Sequence, residues 1–185
     1  SISKTKTFTP PSRDHQFVFS QLSKNIENAC IKARRWDLAS PEIFFFLKTQ
    51  DFKYHGYEIT LSHPSNVPQD ILRSVSDFFP QVYKKGELYR ATGITLTKLR
   101  KNESAQLDLF GNVVATQGLR QVFESVDAIS EKYGKHAVFL GSSFEAMKFG
   151  AHLGERGDTP LRTQDLFRGE TARRRLAIPS LGEVS

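Results

Sequence analysis

The side chains that could carry catalysis or bind a metal are scattered along this 185-residue chain. The five histidines lie far apart, and no HxxH, HExxH or CxxC spacing, which would bring metal ligands together, is present. The phosphate-binding loops GxxxxGK[ST] and GxGxxG are also missing from the sequence. The segment Gly141-Ser142-Ser143-Phe144 resembles the start of a GxSxG nucleophile elbow but lacks its second glycine. The sequence therefore predicts no catalytic residue and no metal site.

Positions that would share one face of a β-sheet are rich in hydroxyl and amine side chains. Residues two apart in a strand point to the same side, so alternation decides which of them lie together. Hydroxyl and ammonium groups can donate hydrogen bonds to phosphate oxygens without reading a base sequence. A candidate phosphate-binding face follows, with a solvated polar surface as the alternative. Its residues are Ser3, Thr5, Thr7, Phe46, Lys48, Thr60, Thr95 and Thr97.

The net charge of +6 is unevenly distributed. Residues 1–101 carry a balance of +7 and residues 102–185 a balance of −1, so a polyanion would bind the first part. Cys30 is the single cysteine, which excludes an internal disulfide and fits a reducing, cytoplasmic compartment. No apolar run approaches the ~18 residues of a membrane helix, so no membrane partner is expected.

Residues 1–101 alternate between strand-like and helix-like patterns. "SISKTKTF" reads as a first strand that ends at Pro10 and Pro11, and apolar residues recur at helical spacing from Leu22 to Ala33. Two strands follow around "IFFFLKTQDFKYHGYEITL", then a helix that begins near Pro68, then a last strand within "LYRATGITLTKL". The order β-α-β-β-α-β predicts an α+β fold. We expect a four-stranded antiparallel sheet with two helices on one face and the other face open.

The sequence changes character after residue 111. Apolar residues from Leu119 to Tyr133 predict a third amphipathic helix that ends at Gly134. "HAVFLG" could form a short strand, and a loosely structured tail is expected from Ser142 onward. We thus divide the chain into a domain (1–101), a linker (102–111) and an extension of unassigned role (112–185). The start without Met, already in strand-like alternation, indicates a fragment of a longer protein.

The predicted linker contains a short apolar peptide, Gln106-Leu107-Asp108-Leu109-Phe110. The amide of the first residue can donate and accept hydrogen bonds, and the three apolar side chains can fill pockets on a partner. The aspartate between the leucines disfavours burial as a core strand, because an unpaired charge is costly to bury. These features predict an exposed recognition peptide, with a packed linker strand as the alternative.

Five segments, taken in order, resemble one protein family. They are "SISKTKTF", the helix containing "CIKARRW", "IFFFLKTQDF", "LYRATGITLTKL" and "QLDLF". Together they resemble the C-terminal portion of Y-family translesion DNA polymerases, with the bacterial DNA polymerase IV and UmuC-like members the most similar. The resemblance covers roughly residues 1–111 and extends loosely into "VDAISEKYGKHAVFLG".

This resemblance implies that residues 1–101 are a little-finger domain, which in the family grips primer–template DNA by contacting its backbone. The implied DNA contacts fall on Ser1, Ser3, Lys4, Thr5, Lys48, Arg90, Thr95, Thr97 and Lys98. It also implies that the peptide 106–110 docks on the β sliding clamp. The family's catalytic carboxylates and Mg²⁺ belong to a palm domain, so this fragment should hold no cofactor and the remainder of the polymerase is an expected partner.

The sequence departs from the family pattern on the expected DNA-binding face. Ala91 and Thr95 stand where relatives can carry arginine, and Phe44 and Phe46 stand where relatives are often polar. We expect the third helix to cover these two rings; stacking on unpaired bases is the alternative. An RNA-recognition-like module that binds single-stranded nucleic acid has the same element order and is the alternative function, although the RNP1 pattern is missing.

Overall fold

The first hundred residues contain four long antiparallel strands, along which buried and exposed side chains alternate. They are β1 (Ile2–Ser12), β2 (Leu38–Thr49), β3 (Tyr54–Ser65) and β4 (Tyr89–Thr97), arranged in the order β1-β4-β2-β3. The computed structural model of the protein describes residues 1–102, 112–134 and 136–148. Within these residues the predicted α+β order β-α-β-β-α-β is confirmed over the first hundred residues.

Two helices cover one face of this sheet. Helix α1 (His15–Arg35) begins at Asp14, whose carboxylate accepts hydrogen bonds from two backbone N–H groups of the first turn. Helix α2 (Pro68–Val82) begins with a proline, which suits a first helical turn. Their apolar stripes close the core against the inward side chains of the strands. The largest fully buried side chains are Tyr89, Phe45, Phe79, Leu22, Ile26, Ile43, Leu47, Ile71, Ile94, Leu96, Val18 and Val75.

The first strand is longer than the sequence predicts. It continues through Pro10 and Pro11 to Ser12, with a shift of register between Thr7 and Ser12. Proline is tolerated because β1 lies at an edge of the sheet, where one row of N–H groups has no strand partner. The prediction that the two prolines end the strand is therefore wrong.

A short strand supplements the four that were expected. Strand β5 (Arg100–Lys101) pairs with Leu38 and Ala39 at the start of β2. The backbone N–H of Asn102 also donates to the carbonyl of Asp37, 2.9 Å away. These bonds hold residues 100–102 beside residues 37–39, which directly follow the end of α1.

The described part of the extension packs on α1. Helix α3 spans Asn112–Tyr133, a 3₁₀ turn spans Gly141–Ser143, and helix α4 spans Phe144–Lys148. The Arg34 guanidinium holds the Asp127 carboxylate of α3 through two bonds of 2.6 and 2.8 Å. Gly134, with φ of +99°, follows α3 as predicted.

The segment after α3 contradicts two expectations. "HAVFLG" forms no strand in its described residues, and the chain from Ser142 to Lys148 is helical rather than loose. Polar contacts explain this order: the Ser23 and Ser142 hydroxyls lie 2.7 Å apart, and the Ser143 hydroxyl donates to the Glu27 carboxylate. Sequence periodicity does not detect such a segment, because hydroxyl groups rather than an apolar stripe attach it.

Candidate nucleic-acid interface

The register of the sheet assembles the predicted polar face. Ser3, Thr95 and Phe44 lie side by side on adjacent strands, and the next row joins Thr5, Gly93 and Phe46. We call the side of the sheet opposite the helices the open sheet face. Its residues are Ser3, Thr5, Thr7, Glu42, Phe44, Phe46, Lys48, Tyr54, Gly56, Glu58, Thr60, Ala91, Gly93, Thr95 and Thr97. All eight positions that the alternation pattern placed on this face therefore lie on it.

Hydroxyl groups form a band along β1 and β4. The Thr95 hydroxyl donates to the Ser3 hydroxyl over 3.1 Å, which joins the two strands across the face. The Thr97 hydroxyl donates to the backbone carbonyl of Glu42, 3.0 Å away. Thr5 and Thr7 are exposed at the edge strand, so their hydroxyls face solvent. Such groups can donate to phosphate oxygens.

Basic and aromatic side chains meet at one end of the open sheet face. The Lys48 ammonium lies 4.8 Å from the ring centre of Phe52 and 4.6 Å from that of Tyr54. The Arg90 guanidinium lies 4.6 Å from the ring centre of Phe52. These distances are typical of cation–π contacts. Two of the predicted DNA contacts, Lys48 and Arg90, are thus brought together by an aromatic residue that the sequence reading did not single out.

Two carboxylates lie at the other end of the open sheet face. The Lys98 ammonium lies 2.6 Å from a carboxylate oxygen of Glu42, and this bond holds the pKa of Glu42 below its usual value. A hydrogen bond with Glu42 raises the pKa of the neighbouring Glu58. Lys98, a predicted DNA contact, is therefore already paired within the protein. The sequence reading missed this acidic pair because the two residues lie 16 positions apart and meet only through strand pairing.

Phe44 and Phe46 lie on the open sheet face with centroids 6.2 Å apart and planes inclined by 29°. Phe44 is 38% exposed. The expectation that the third helix covers these rings is wrong, because α3 packs on α1, on the opposite side of the sheet. The Arg34–Asp127 ion pair joins these two helices, which are far apart in the sequence.

Lys4 points to the opposite side of the sheet from Ser3 and Thr5, the predicted contacts next to it on the first strand. It pairs with Ile94, whose side chain is buried beneath the helices. It lines a cavity of about 780 Å³ between α1 and α3, together with Asn28, Lys32 and Asp127. Ser1 is exposed ahead of β1. The predicted DNA contacts are therefore split: the Lys4 side chain lies on the helix side of the sheet, whereas five others lie on the open sheet face, namely Ser3, Thr5, Lys48, Thr95 and Thr97.

Two further lysines that the sequence did not single out lie near Lys4, one on β1 and one on α1. Lys6 follows Lys4 on the same side of the strand, and Lys24 extends from α1. Burial, followed by the charge of Lys6, lowers the pKa of Lys24. The Lys24 ammonium also donates to the backbone carbonyl of Ala146, 3.3 Å away, so it is already engaged within the protein.

The predicted clamp peptide, residues 106–110, lies outside the described residues. Within residues 1–102, 112–134 and 136–148, no group of three or more His, Cys, Asp or Glu side chains is arranged to hold a metal ion. No helix in this part of the chain is long and apolar enough to cross a membrane.

Comparison with known proteins identifies the family. The model of the impB/mucB/samB family C-terminal domain matches residues 1–109. The chain is 26% identical over 117 residues to DNA polymerase IV of Pelotomaculum thermopropionicum, covering 63% of this chain and 28% of that protein. It is 24% identical over 147 residues to DNA polymerase IV of Bacillus velezensis, covering 77% and 34%. The chain belongs to the impB/mucB/samB family, and residues 1–109 are its C-terminal domain, the little finger of Y-family DNA polymerases.

Two solved structures share part of this chain trace. DinB from Sulfolobus solfataricus matches 51% of this chain and 27% of its own length, with 15% identity and a TM-score of 0.44. A complex of the beta-clamp processivity factor and the little finger domain of PolIV matches 59% of this chain and 97% of the aligned chain, with 17% identity and a TM-score of 0.41. The chain spans about a third of the length of the polymerases it matches in sequence.

Proposed function

We propose that this chain is the part of a translesion DNA polymerase that holds primer–template DNA and docks the enzyme on the β sliding clamp. In this role it supports DNA synthesis past damage in the cytoplasm. The observation that carries the proposal is the open sheet face, whose hydroxyl band and basic end lie on a domain of the Y-family little-finger type. The relatives it matches in sequence are named DNA polymerase IV, which supports the same reading.

The proposed contact with duplex DNA is mainly electrostatic. In this proposal Lys48 and Arg90, at one end of the open sheet face, contact phosphates. Lys4, whose side chain lies on the helix side of the edge strand β1, contacts a phosphate beside that face. The hydroxyl of Thr5, which is exposed on the same face, can donate to phosphate oxygens. Binding through phosphates is independent of sequence and weakens steeply with salt, because counterions are released on binding.

Salt-dependent affinity for a primed duplex tests this contact. Neutralising Lys48 and Arg90 together as Lys48→Gln/Arg90→Gln should weaken binding and lower the slope of log K against log salt by about two. The matched control, Arg73→Gln/Lys132→Gln, removes two exposed cations from helices α2 and α3 and should leave the slope unchanged. Equal slopes for both double variants, or a flat salt response of the wild type, would refute the DNA contact.

The proposed clamp contact relies on the peptide 106–110. The side-chain chemistry of this peptide supports the contact, because one amide and three apolar side chains within five residues can anchor a short peptide in a pocket. The little finger domain of PolIV has been solved in complex with the beta-clamp processivity factor, and we propose the same kind of partner for this chain. The remainder of the polymerase is the second proposed protein partner.

Binding to purified β clamp tests the peptide directly. The triple variant Gln106→Ala/Leu109→Ala/Phe110→Ala should lose measurable affinity, because it removes the polar lead residue and two anchors. The chain offers a matched control in Gln164-Asp165-Leu166-Phe167, which lacks the first leucine. The variant Gln164→Ala/Leu166→Ala/Phe167→Ala should bind like wild type. If both triple variants bound the clamp as well as wild type, the docking role would be wrong.

In this proposal the palm domain of the polymerase, with its carboxylates and Mg²⁺, carries out catalysis. The residues of this chain do not. The chain alone should therefore extend no primer when Mg²⁺ and deoxynucleotides are supplied, while still retarding the primed duplex. Primer extension by the purified chain would overturn this division of roles.

A further inference from the structure

Two phenylalanine rings lie directly on glycines of the neighbouring strands. A Cβ atom built on Gly93 would lie 2.3 and 2.5 Å from two ring carbons of Phe46. One built on Gly56 would lie 2.6 and 2.8 Å from two ring carbons of Phe44. The rings therefore occupy the space above the strand backbone where a side chain would otherwise stand. Glycine at both positions allows this close approach.

The two rings continue into a longer row of aromatic side chains. Phe46 lies 5.3 Å from Tyr54, and Tyr54 and Phe52 share the Lys48 ammonium between them. We call Phe44, Phe46, Tyr54 and Phe52 the aromatic stripe. Phe52 and Tyr54 are 60% and 61% exposed, so both rings are accessible to a ligand. Lys48 and Arg90 lie along the stripe and add positive charge to it.

The chemistry of the stripe matches unpaired nucleotides. Nonspecific binding of single strands combines aromatic side chains, on which bases stack, with cations that follow the phosphates. A duplex keeps its bases stacked inside and presents its phosphates, so the rings have no base face to contact there. The acidic pair Glu42 and Glu58 lies next to Phe44 and repels phosphates, so the backbone would run past Lys48 and Arg90.

We propose that the aromatic stripe binds single-stranded DNA by base stacking, for example the unpaired template next to the primed duplex. The inference rests on the proposed use of the open sheet face for DNA and adds a preference for unpaired bases. Bases stack over Phe44 and Phe46, while Lys48 and Arg90 contact the adjoining phosphates. Sequence preference is weak, because every base presents a π face.

Fluorescence anisotropy with the full chain tests the stripe. The probes are a labelled thymidine dodecamer, a dodecamer of abasic sites with the same phosphates, and a duplex of equal length. The variant Phe44→Leu/Phe46→Leu keeps apolar bulk over the glycines but removes both ring faces. Tyr133→Leu is the matched control, because this tyrosine is 68% exposed on α3, away from the sheet.

The wild type should bind the thymidine dodecamer at least tenfold more tightly than the abasic one, since stacking one base changes affinity by roughly five- to 150-fold. The double leucine variant should lose most of this advantage and keep its affinity for duplex, whereas Tyr133→Leu changes neither. Equal affinity for the thymidine and abasic strands would overturn the inference, as would a clear preference for single-stranded RNA. If either of these results were found but the wild type still bound duplex DNA, the proposed function would stand and only the stacking inference would fail. If the wild type bound no DNA at all, both the proposed function and the inference would be refuted.

Discussion

Replacing Gly93 by alanine tests how closely Phe46 packs on the sheet. A Cβ at this position would meet two ring carbons of Phe46 at 2.3 and 2.5 Å and the Thr5 hydroxyl oxygen at 2.9 Å. Real Cβ contacts are not found at such distances, so the ring must move off the strand. Elsewhere in a strand, alanine would be the better residue, because glycine weakens strands.

The expected magnitude follows from the crowding. Forcing an extra methyl group into a packed site typically costs about 1–3 kcal/mol. The gain in backbone entropy offsets roughly 0.5–1 kcal/mol of this. Gly93→Ala should therefore lower the free energy of unfolding by about 1–2 kcal/mol. Because Phe46 causes the crowding, Gly93→Ala should be nearly harmless in a Phe46→Ala background, with a coupling free energy of about 1 kcal/mol or more.

Urea unfolding of the four proteins in this double-mutant cycle measures the coupling. Gly118→Ala is the matched control, because this exposed glycine lies within α3 with no atom within 4 Å of its Cβ position. It should stabilise the protein by up to about 1 kcal/mol through helix propensity. The reasoning would be refuted if Gly93→Ala behaved like Gly118→Ala, or if its effect were the same with and without the Phe46 ring.

Three further outcomes follow from α1. Burial raises the pKa of Glu27 above its ordinary 4.5, so its protonated form stabilises the fold and that stability is lost as the pH rises above this value. Between about pH 4.5 and pH 7, the free energy of unfolding of Glu27→Gln should therefore rise relative to that of wild type, as measured by urea unfolding. A fall relative to wild type over this range would contradict the burial argument. Burial also raises the pKa of Cys30 to about 12, so its thiol should react with a disulfide reagent only after denaturation; rapid reaction in native buffer would show otherwise. Asp14→Ala removes the N-terminal cap of α1 and should lower the free energy of unfolding by about 0.5–2 kcal/mol. An unchanged urea midpoint would contradict this expectation.

The sheet and its two helices could be predicted because local patterns dictate them. Alternating residues in β1 and β4, and the apolar stripe from Leu22 to Ala33, each follow the period of their element. The same reading missed the continuation of β1 past Pro10, because edge position depends on strand order and not on local sequence. It also missed the docking of Ser143 on Glu27, since a single hydroxyl–carboxylate bond leaves no periodic signal.

The sequence could predict which residues of the candidate site share one face of the sheet, but not which of their side chains are in contact. Alternation placed Thr5 and Thr95 on one side of the sheet, and strand pairing confirmed it. The pairing of Lys98 with Glu42, and the meeting of Lys48 with Arg90 at Phe52, depend on register between strands far apart in sequence. Such proximity comes from the fold, and no single stretch of sequence encodes it.

The central claim, that the open sheet face lies against DNA, is tested most directly by placing a negative charge on that face. Thr5→Glu adds a carboxylate at an exposed position of β1, and Gln81→Glu adds the same charge at an exposed position of α2. At about 0.15 M salt, where the Debye length is about 8 Å, the first variant should bind primed duplex roughly tenfold more weakly than wild type. The second should lose little affinity, because a charge more than a Debye length from the DNA is screened. Equal loss of affinity in the two variants would contradict the account.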